Sequence, residues 1–379
     1  MVKNRNLENR IEQLYIQSER ELDACALPNG ALVAANSDLP IYPSSAENYR
    51  FSWARDAAYQ LLAAHAVDSD KAINRTIDYA KWLNNVQGFA KSGLYIKRYG
   101  TNGALDVRYG EHYQPDQAGS LIAALDMIVP EPNMHIDNAI QKMANGLVKK
   151  WNGQSLGPTQ DLWENRETSS KDNDVFTYSI ASVIHGLGRA IARTRNIDTT
   201  MWEQSQAEMK EKLASVDTRF YLRKTYSNPA HFDSDNTLDA SLAGLVYPAG
   251  LLDSRTHATI VAISDELYRP GLGVYRYAGD TYDGIVREGS REATAGAWPL
   301  LTFWESIALH KHGMTAEAHD MFNDTVERLD REYHRGYLPD NIIPEQLYPD
   351  DERQGKGVLP LAWSHAKFIL AAKALQIVS

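Results

Sequence analysis

The chain has 379 residues and a formal net charge of −10. An acidic chain without a basic cluster repels nucleic-acid phosphates and anionic lipid headgroups, so both are excluded as expected partners. The single cysteine, Cys25, excludes an intrachain disulfide, and no run of about 18 apolar residues predicts a membrane span. Residues 1–10 are polar and charged, unlike a signal peptide, so we expect a cytoplasmic protein.

Apolar residues recur at helical spacing in twelve segments of the chain. In the first segment, over about 7–26, Leu7, Ile11 and Leu14 fall on one face. The other eleven helices are predicted over residues 56–66, 72–87, 116–128, 137–151, 177–194, 200–215, 237–246, 255–267, 295–312, 315–332 and 361–377. No convincing set of alternating strands accompanies them, so the predicted fold class is all-α.

The connections between these helices alternate in length. Those after the odd-numbered helices are long, as over 27–55 and 88–115, whereas those after the even-numbered helices are short, as over 67–71. Loops longer than ~12–15 residues are uncommon and usually functional. Strict alternation indicates six helical hairpins in a ring, with every long loop at one end. The chain is therefore predicted to be a single (α/α)6-barrel domain over residues 1–379, and no fixed-period repeat supports the alternative of a helical solenoid.

Polar and aromatic residues cluster in the long loops. The loop before the second predicted helix ends with Tyr49, Trp53, Arg55 and Asp56. An Arg–Asp pair at a helix start is compatible with an ordinary cap and a surface ion pair. The alternative is that both charged side chains bind sugar hydroxyl groups, because charged groups make stronger hydrogen bonds than neutral ones. The two aromatic rings would then form a wall against the sugar.

Two further long loops each place a glutamate beside apolar residues. In one loop Glu164 follows Trp163, and in the other Glu345 follows Pro344. Read singly, each glutamate is as compatible with an ordinary loop charge as with a catalytic group. Together they fit glycoside hydrolysis, which uses two carboxyl groups flanking the scissile bond. An apolar wall also favours the protonated form that a general acid needs.

Two more segments fall at the same predicted end of the barrel. Arg276, within residues 273–277, is a candidate for holding a sugar hydroxyl. Trp298 and Trp304 stand one and a half helical turns apart, and at least one of them is expected in the core.

These residues together resemble glycoside hydrolase family 15, the glucoamylase family, over essentially the whole chain. The segment from Tyr49 to Asp56 resembles the family pattern Tyr-x-x-x-Trp-x-Arg-Asp. Residues 161–164 resemble the segment that carries the general acid. The remaining similar segments are 238–242, 296–304, and the general-base segment 344–346 with the residues 361–365 that follow it.

The resemblance implies an inverting enzyme that releases β-glucose, with Glu164 as general acid and Glu345 as general base, and that needs neither a metal nor an organic cofactor. Arg55 and Asp56 would bind the glucose at the non-reducing end. The substrate-binding residues expected in all are Tyr49, Trp53, Arg55, Asp56, Asp116, Trp163, Asn165, Arg276, Trp298 and Gln346. An inverting pair stands roughly 6.5–9.5 Å apart, which leaves room for a water molecule.

Two positions depart from the family pattern. Many glucoamylases have a second glutamate directly after the general acid, where this chain has Asn165. The preference for α-1,4 links is therefore open, and α-1,4, α-1,6 and α,α-1,1 glucosides are all candidates. The tryptophan that the family carries in the loop after the third helix has no clear counterpart, and Tyr109, His112 and Tyr113 stand nearest.

Three alternatives to an exo-α-glucosidase are open. An α,α-trehalase of the same family would use the same two glutamates. A non-catalytic sugar sensor, of the kind that resembles regulatory subunits of phosphorylase kinase, is expected to lack one of them. A phosphorylase on a similar barrel places phosphate where the water would be and lacks the base. The only partner expected of the hydrolase is its substrate, a small oligosaccharide.

Overall fold

The computed structural model describes residues 2–106, 113–168, 173–215, 218–225, 237–286 and 294–378. Within these ranges the chain forms thirteen α-helices. Their bounds are α1 (Val2–Ala24), α2 (Ala54–Val67), α3 (Ser69–Leu83), α4 (Phe89–Ser92), α5 (Pro115–Ile128), α6 (Met134–Lys150), α7 (Thr177–Arg193), α8 (Thr200–Ala214), α9 (Ala243–Val246), α10 (Ser254–Glu266), α11 (Pro299–Lys311), α12 (Thr315–His334) and α13 (Ala362–Ala374). A 3₁₀ turn over Ala240–Leu242 leads into α9.

The strands of the described ranges are two residues long and form three antiparallel pairs. The strand β1 (Phe51–Ser52) pairs with β2 (Tyr99–Gly100), and β3 (Val175–Phe176) pairs with β4 (Lys224–Thr225). The third pair joins β5 (Tyr268–Arg269) to β6 (Gly273–Val274). All six strands lie in the long connections between helices, so they brace loops and do not form a separate layer.

All twelve predicted helices are present, and the single turn α4 is the addition. The predicted starts of two helices were wrong: the eighth, predicted from 237, is the 3₁₀ turn from Ala240 followed by α9, and the tenth, predicted from 295, is α11 and begins at Pro299. Proline suits the first helical turn because that position needs no backbone N–H. The predicted alternation of long and short connections is confirmed, and the connection between α2 and α3 is Asp68 alone.

Six helices form a closed inner ring. Each inner helix contacts the next, in the order α2, α5, α7, α9, α11, α13 and back to α2. The inner helices are buried almost all round, whereas outer helices such as α3 and α6 bury one face only. Helices that are apolar all round belong in a protein core. The predicted (α/α)6 barrel is therefore confirmed.

Glycines let two inner helices approach closely. A Cβ added at Gly119 of α5 would lie 2.5 Å from the backbone carbonyl of Ser182 in α7. A Cβ added at Gly186 would lie 2.6 Å from the carbonyl oxygen of Gly119. Any side chain at either position would force these helices apart, so both glycines are required by the closure of the ring.

Every inner helix begins at the end of the barrel that carries the long loops. The loops are tied together there, since Ala362 N–H donates to the Ala34 carbonyl at 2.9 Å and Thr177 N–H donates to the Arg223 carbonyl at 2.8 Å. Across the part of the chain that the structure describes, no helix combines the length and the apolar character needed to cross a bilayer.

A lysine lies inside the ring of inner helices. The side chain of Lys367 on α13 is fully buried, and its Nζ lies 3.5 Å and 3.6 Å from the ring centroids of Trp304 and Tyr59. Within the described residues, Nζ has no hydrogen-bond partner. Burial lowers the pKa of this amine well below its ordinary value, because a charged group is disfavoured in apolar surroundings.

We expect Lys367→Met to raise the free energy of unfolding by about 1–3 kcal/mol at pH 7, because it removes a buried amine that has no hydrogen-bond partner within the described residues. The folded pKa is depressed, so the unfolded chain binds the proton of this lysine more tightly than the folded chain does, and protonation of the unfolded chain costs stability. That cost shrinks as the pH rises towards ~10.4, where the unfolded lysine also deprotonates. The advantage of the variant should therefore narrow between pH 7 and pH 10 in urea unfolding.

The matched control is Lys149→Met, which changes an exposed lysine of α6. It should leave stability nearly unchanged at both pH values. A less stable Lys367→Met variant would show that attraction between a charged amine and the two rings outweighs its desolvation.

Candidate active site

The long-loop end of the barrel holds a pocket of about 270 Å³. This is below the ~300–1,000 Å³ usual for drug-sized ligands, so the pocket suits a small one. Ten of the twelve predicted site residues line it, namely Tyr49, Trp53, Arg55, Asp56, Trp163, Glu164, Asn165, Arg276, Trp298 and Glu345. The lining is completed by Ala34, Glu47, Lys97, Arg98, Leu162, Tyr282, Leu361 and Trp363.

Inner-helix starts supply much of this lining. Trp53, Trp298 and Leu361 are the residues directly before the first turns of α2, α11 and α13. Their backbones are extended, which turns the chain from the loop into the helix axis. The free N–H groups and positive dipole ends of helices favour polar and anionic partners. The N-terminal ends of these inner helices therefore favour a polar ligand near the axis of the ring.

Arg55 and Asp56 lie in the first turn of α2. The Ala54 N–H donates to Gln117 Oε1 at 2.6 Å, so a side chain of α5 caps this helix. Arg55 Nη1 donates to Asp116 Oδ2 at 2.7 Å, and both residues are buried. Asp116 thus lies behind Arg55 and is not part of the pocket lining. Burial is the main cause that raises the pKa of Asp56 to about 7, against the lowering effect of Arg55.

Glu164 lies in a tight turn closed by Asp161. Asp161 Oδ1 accepts from the Asn165 N–H at 2.9 Å and from the Arg166 N–H at 3.2 Å. The turn holds Glu164 at a φ of 62°, which is uncommon for a non-glycine residue. Such conformations persist where surrounding structure determines them, and they cluster at functional sites.

Both carboxylate oxygens of Glu164 have polar partners. Oε1 accepts from Trp53 Nε1 at 2.8 Å, and Oε2 lies 2.5 Å from Lys97 Nζ. The carboxylate therefore meets an indole N–H and an ammonium group, and not only the apolar wall that Trp163 led us to expect. These two contacts fix the direction in which the carboxylate faces the pocket.

Arg276 forms another wall and is held from behind. Its Nε and Nη2 donate to the two oxygens of Asp280, each at 2.6 Å. The guanidinium lies 5.4 Å from the ring centroid of Trp163 and 4.9 Å from that of Trp298. Such a fork held by one carboxylate keeps a fixed direction. Trp304, in contrast with Trp298, is fully buried in the core.

Trp163 and Asn165 flank Glu164 in the same turn. Trp163 Nε1 donates to Asp239 Oδ1 at 2.9 Å, which fixes the indole ring. Asn165 is exposed at the pocket mouth. In the amide orientation that gives both atoms a partner, the Asn165 oxygen accepts from the Tyr277 hydroxyl and from Arg276 Nη2 at 3.3 Å. The amide nitrogen then donates to the Trp163 carbonyl at 3.2 Å.

The loop that carries Glu345 is anchored by the start of α13. Ser364 Oγ donates to the Pro344 carbonyl at 3.0 Å, and the Ile343 N–H donates to His365 Nε2 at 3.1 Å. Burial lowers the pKa of His365 to about 3, so this ring stays neutral and can accept. The Gln346 side chain accepts from the Gly296 N–H at 2.7 Å and lies outside the pocket lining.

Glu345 is buried against tyrosines. Burial is the main cause that raises the pKa of Glu345 to about 8, and the nearby carboxylate of Glu47 adds to the rise. The Tyr49 hydroxyl, the Arg276 charge and the Gln346 side chain act in the opposite direction. The Tyr49 hydroxyl also hydrogen-bonds the Tyr282 hydroxyl. A buried carboxyl with a raised pKa is a stronger base once it is ionised.

Sequence reasoning missed several lining residues. Lys97 and Arg98 form a basic pair in a long loop, a signal that would have supported their selection. Trp363 lies in a segment of family resemblance and was not chosen as a site residue, while Glu47 and Tyr282 carried no signal of their own. Tyr109 and His112 lie outside the described residues, and Tyr113 is buried away from the pocket lining.

Over the described ranges, no group of three His, Cys, Asp or Glu side chains could hold a metal.

Two proteins of similar sequence cover most of the chain. An uncharacterised glycosyl hydrolase of Methanocaldococcus jannaschii is 25% identical over 359 residues, which is 90% of this chain and 52% of that protein. A trehalase of Thermoplasma acidophilum is 27% identical over 384 residues, which is 92% of this chain and 60% of the trehalase. The chain spans about half the length of the curated relatives it matches.

Among the solved structures with a similar fold, two were solved with a sugar or inhibitor bound. A variant glycosidase in complex with glucose matches with a TM-score of 0.74 and 18% identity, over 98% of both chains. A bacterial glucoamylase complexed with acarbose matches with a TM-score of 0.70 and 19% identity, over 96% of this chain and 55% of the other. At these identities the likeness shows the (α/α)6 barrel fold alone.

The family assignment comes from the sequence as a whole. The sequence model of glycosyl hydrolases family 15 matches residues 12–373. This range runs from α1 to α13 and includes the loops of both glutamates in the pocket. The chain belongs to glycosyl hydrolases family 15.

Proposed function

We propose that the chain is an inverting exo-α-glucosidase that releases β-glucose from the non-reducing end of short α-1,4 or α-1,6 glucosides. One observation carries the proposal: Glu164 and Glu345, from loops far apart in sequence, line the same small pocket. Arg55 and Trp363, from the first turns of α2 and α13, line the pocket where it meets the inner ring, and Asp116 lies behind Arg55, so we infer that the ring closes the pocket on this side. A pocket with a closed floor admits the end of a sugar chain and excludes its middle.

The lining residues suit the steps of an inverting hydrolysis. Glu164 protonates the glycosidic oxygen, and Glu345 takes a proton from a water that attacks the opposite face of the sugar. Arg55, Asp56 and Arg276 supply charged partners for sugar hydroxyls. Aromatic rings of the lining, including Trp53 and Trp163, offer apolar faces to the pyranose.

A second candidate is an α,α-trehalase. It is favoured by the sequence similarity to proteins named trehalase, of which the Thermoplasma acidophilum protein is 27% identical. Asn165 at the pocket mouth supports a departure from α-1,4 preference, because the resemblance places a glutamate there in many glucoamylases. Linkage is decided by residues that touch the leaving sugar, and these lie at the mouth.

Incubation with maltose, isomaltose, trehalose and soluble starch tests the proposal. Proton NMR should show β-glucose as the first product from maltose or isomaltose, because water attacks the face opposite the departing oxygen. Trehalose cleaved faster than both would favour the second candidate. The reducing-end glucose of maltose or isomaltose leaves as the anomeric mixture it already was, so initial α-glucose in excess of that share would contradict inversion.

In the same assay Glu345→Gln should abolish turnover while glucose binding persists, since the amide keeps the shape of the side chain and cannot accept the proton. Glu167→Gln is the matched control, as it changes an exposed carboxylate in the loop of Glu164. Turnover by Glu345→Gln would show that another group is the base.

The pH dependence of Glu345 is measurable in a Glu164→Gln variant with α-glucosyl fluoride, whose fluoride leaves without a proton from the enzyme. Only ionised Glu345 can then act as base. Because the pKa of Glu345 is raised to about 8, kcat/KM should rise about tenfold per pH unit below ~pH 8 and level off above it. A midpoint near the ordinary glutamate value of 4.5 would contradict the raised pKa.

Gly284 packs directly against the proposed base. Its φ is +64°, and a Cβ added there would lie 2.5 Å from Glu345 Oε2. Within the described residues, this oxygen is buried and has no hydrogen-bond partner. A side chain at position 284 would therefore push the carboxylate from its place.

We expect Gly284→Ala to lower kcat by about 100-fold, because displacement of a catalytic group by ~1 Å costs that much. The control is Gly313→Ala, whose φ is +82° and whose added Cβ would meet nothing within 4 Å. Both variants bear the cost of a left-handed alanine, roughly 1–2 kcal/mol, and Gly284→Ala also bears the clash with Glu345, so kcat is compared at a temperature below both melting temperatures. Equal activity of the two variants would show that Glu345 does not act from this position.

A further inference from the structure

The wall around Glu345 contains a carboxylate that the hydrolysis does not use. Glu47 lines the same pocket as Glu345 and comes from the loop before α2. Its backbone is fixed, because Glu47 N–H donates to the Gly284 carbonyl at 3.1 Å and the Tyr42 hydroxyl donates to the Glu47 carbonyl. The preceding Ala46 pairs with Ile285 in an antiparallel bridge.

Glu47 and Glu345 therefore meet at one residue. The carbonyl of Gly284 binds the Glu47 backbone, and its α-carbon faces Glu345 Oε2, with only 2.5 Å between that oxygen and an added Cβ. A shift of either segment would be transmitted to the other through this glycine. The geometry places two carboxylates on one wall of a pocket with a volume of about 270 Å³.

The other groups around Glu345 are mostly uncharged. Tyr42 and Tyr49 face it from the loop before α2, and Tyr282 faces it from the loop before α11. Gln346, the next residue in the sequence, also contacts Glu345. Arg276 supplies a positive charge from the loop before α11, and that charge is already bound on two sides by Asp280.

We propose that Glu47 is a positioning residue that controls the pH range in which Glu345 works as base, by holding a second negative charge on the wall they share. The inference rests on the proposed function of Glu345. A like charge disfavours ionisation of its neighbour, so Glu47 keeps the base protonated to higher pH. The direction agrees with the contribution of Glu47 to the raised pKa of Glu345.

The test compares Glu164→Gln with the double variant Glu164→Gln, Glu47→Gln, using α-glucosyl fluoride between pH 5 and pH 9. Removal of the Glu47 charge should lower the midpoint of the kcat/KM profile by roughly one pH unit. Turnover near pH 6 should rise several-fold, while turnover on the alkaline plateau stays the same. A residue with a merely structural role would lower the plateau and leave the midpoint in place.

Two further variants in the same background serve as controls. Glu47→Asp keeps the charge and should keep the midpoint close to that of the parent. Glu352→Gln removes an exposed carboxylate from the loop of Glu345 and should have no effect. Melting temperatures establish that each variant is folded at the pH of the assay.

The outcomes separate the two hypotheses. If Glu345→Gln is inactive and Glu47→Gln leaves the midpoint unchanged or raises it, the role of Glu47 is overturned and the proposed base stands. If Glu345→Gln retains turnover, the proposed function itself fails.

Discussion

Closure of the inner helical ring is the constraint on which the other features depend. The six inner helices contact one another in sequence from α2 round to α13 and back, and this requires glycine at close approaches such as Gly119 and Gly186. Because every inner helix is reached by a long loop, and those from α2 to α11 are left by a short one, all six begin at the same end. Loops distant in sequence, and the helix starts that follow them, are thereby brought around one axis.

The side chains of the site are held in place by contacts with other segments of the chain, and the conformational preferences of their own loops do not suffice. The loop of Glu345 is held by Ser364 and His365 at the start of α13, and the turn of Glu164 is closed by Asp161. Arg55 and Arg276 each have a buried carboxylate behind them, Asp116 and Asp280 respectively. These two loops and two arginine side chains are thus held in place from outside the pocket, as a preorganised polar site requires.

The two glutamates are placed in different electrostatic surroundings. Glu164 is half-buried and meets Lys97 and Trp53, whereas Glu345 is buried among tyrosines with its pKa raised to about 8. The raised pKa belongs to the proposed base, so Glu345 must lose its proton before it can accept one from water, and it is then a stronger base than an ordinary glutamate. Glu47 adds a third carboxylate on the side of the base only.

The sequence by itself determined the helical pairs and most of the pocket. Periodic apolar residues locate helices because one face must be buried, and loop alternation follows from a ring of hairpins. The tertiary structure alone decided which polar residues reach the pocket: Asp116 and Gln346 lie behind it, while Glu47, Tyr282 and Lys97 line it. The direction of a side chain depends on partners from other loops, such as Arg55 for Asp116 and Gly296 for Gln346, and periodicity carries no information about those partners.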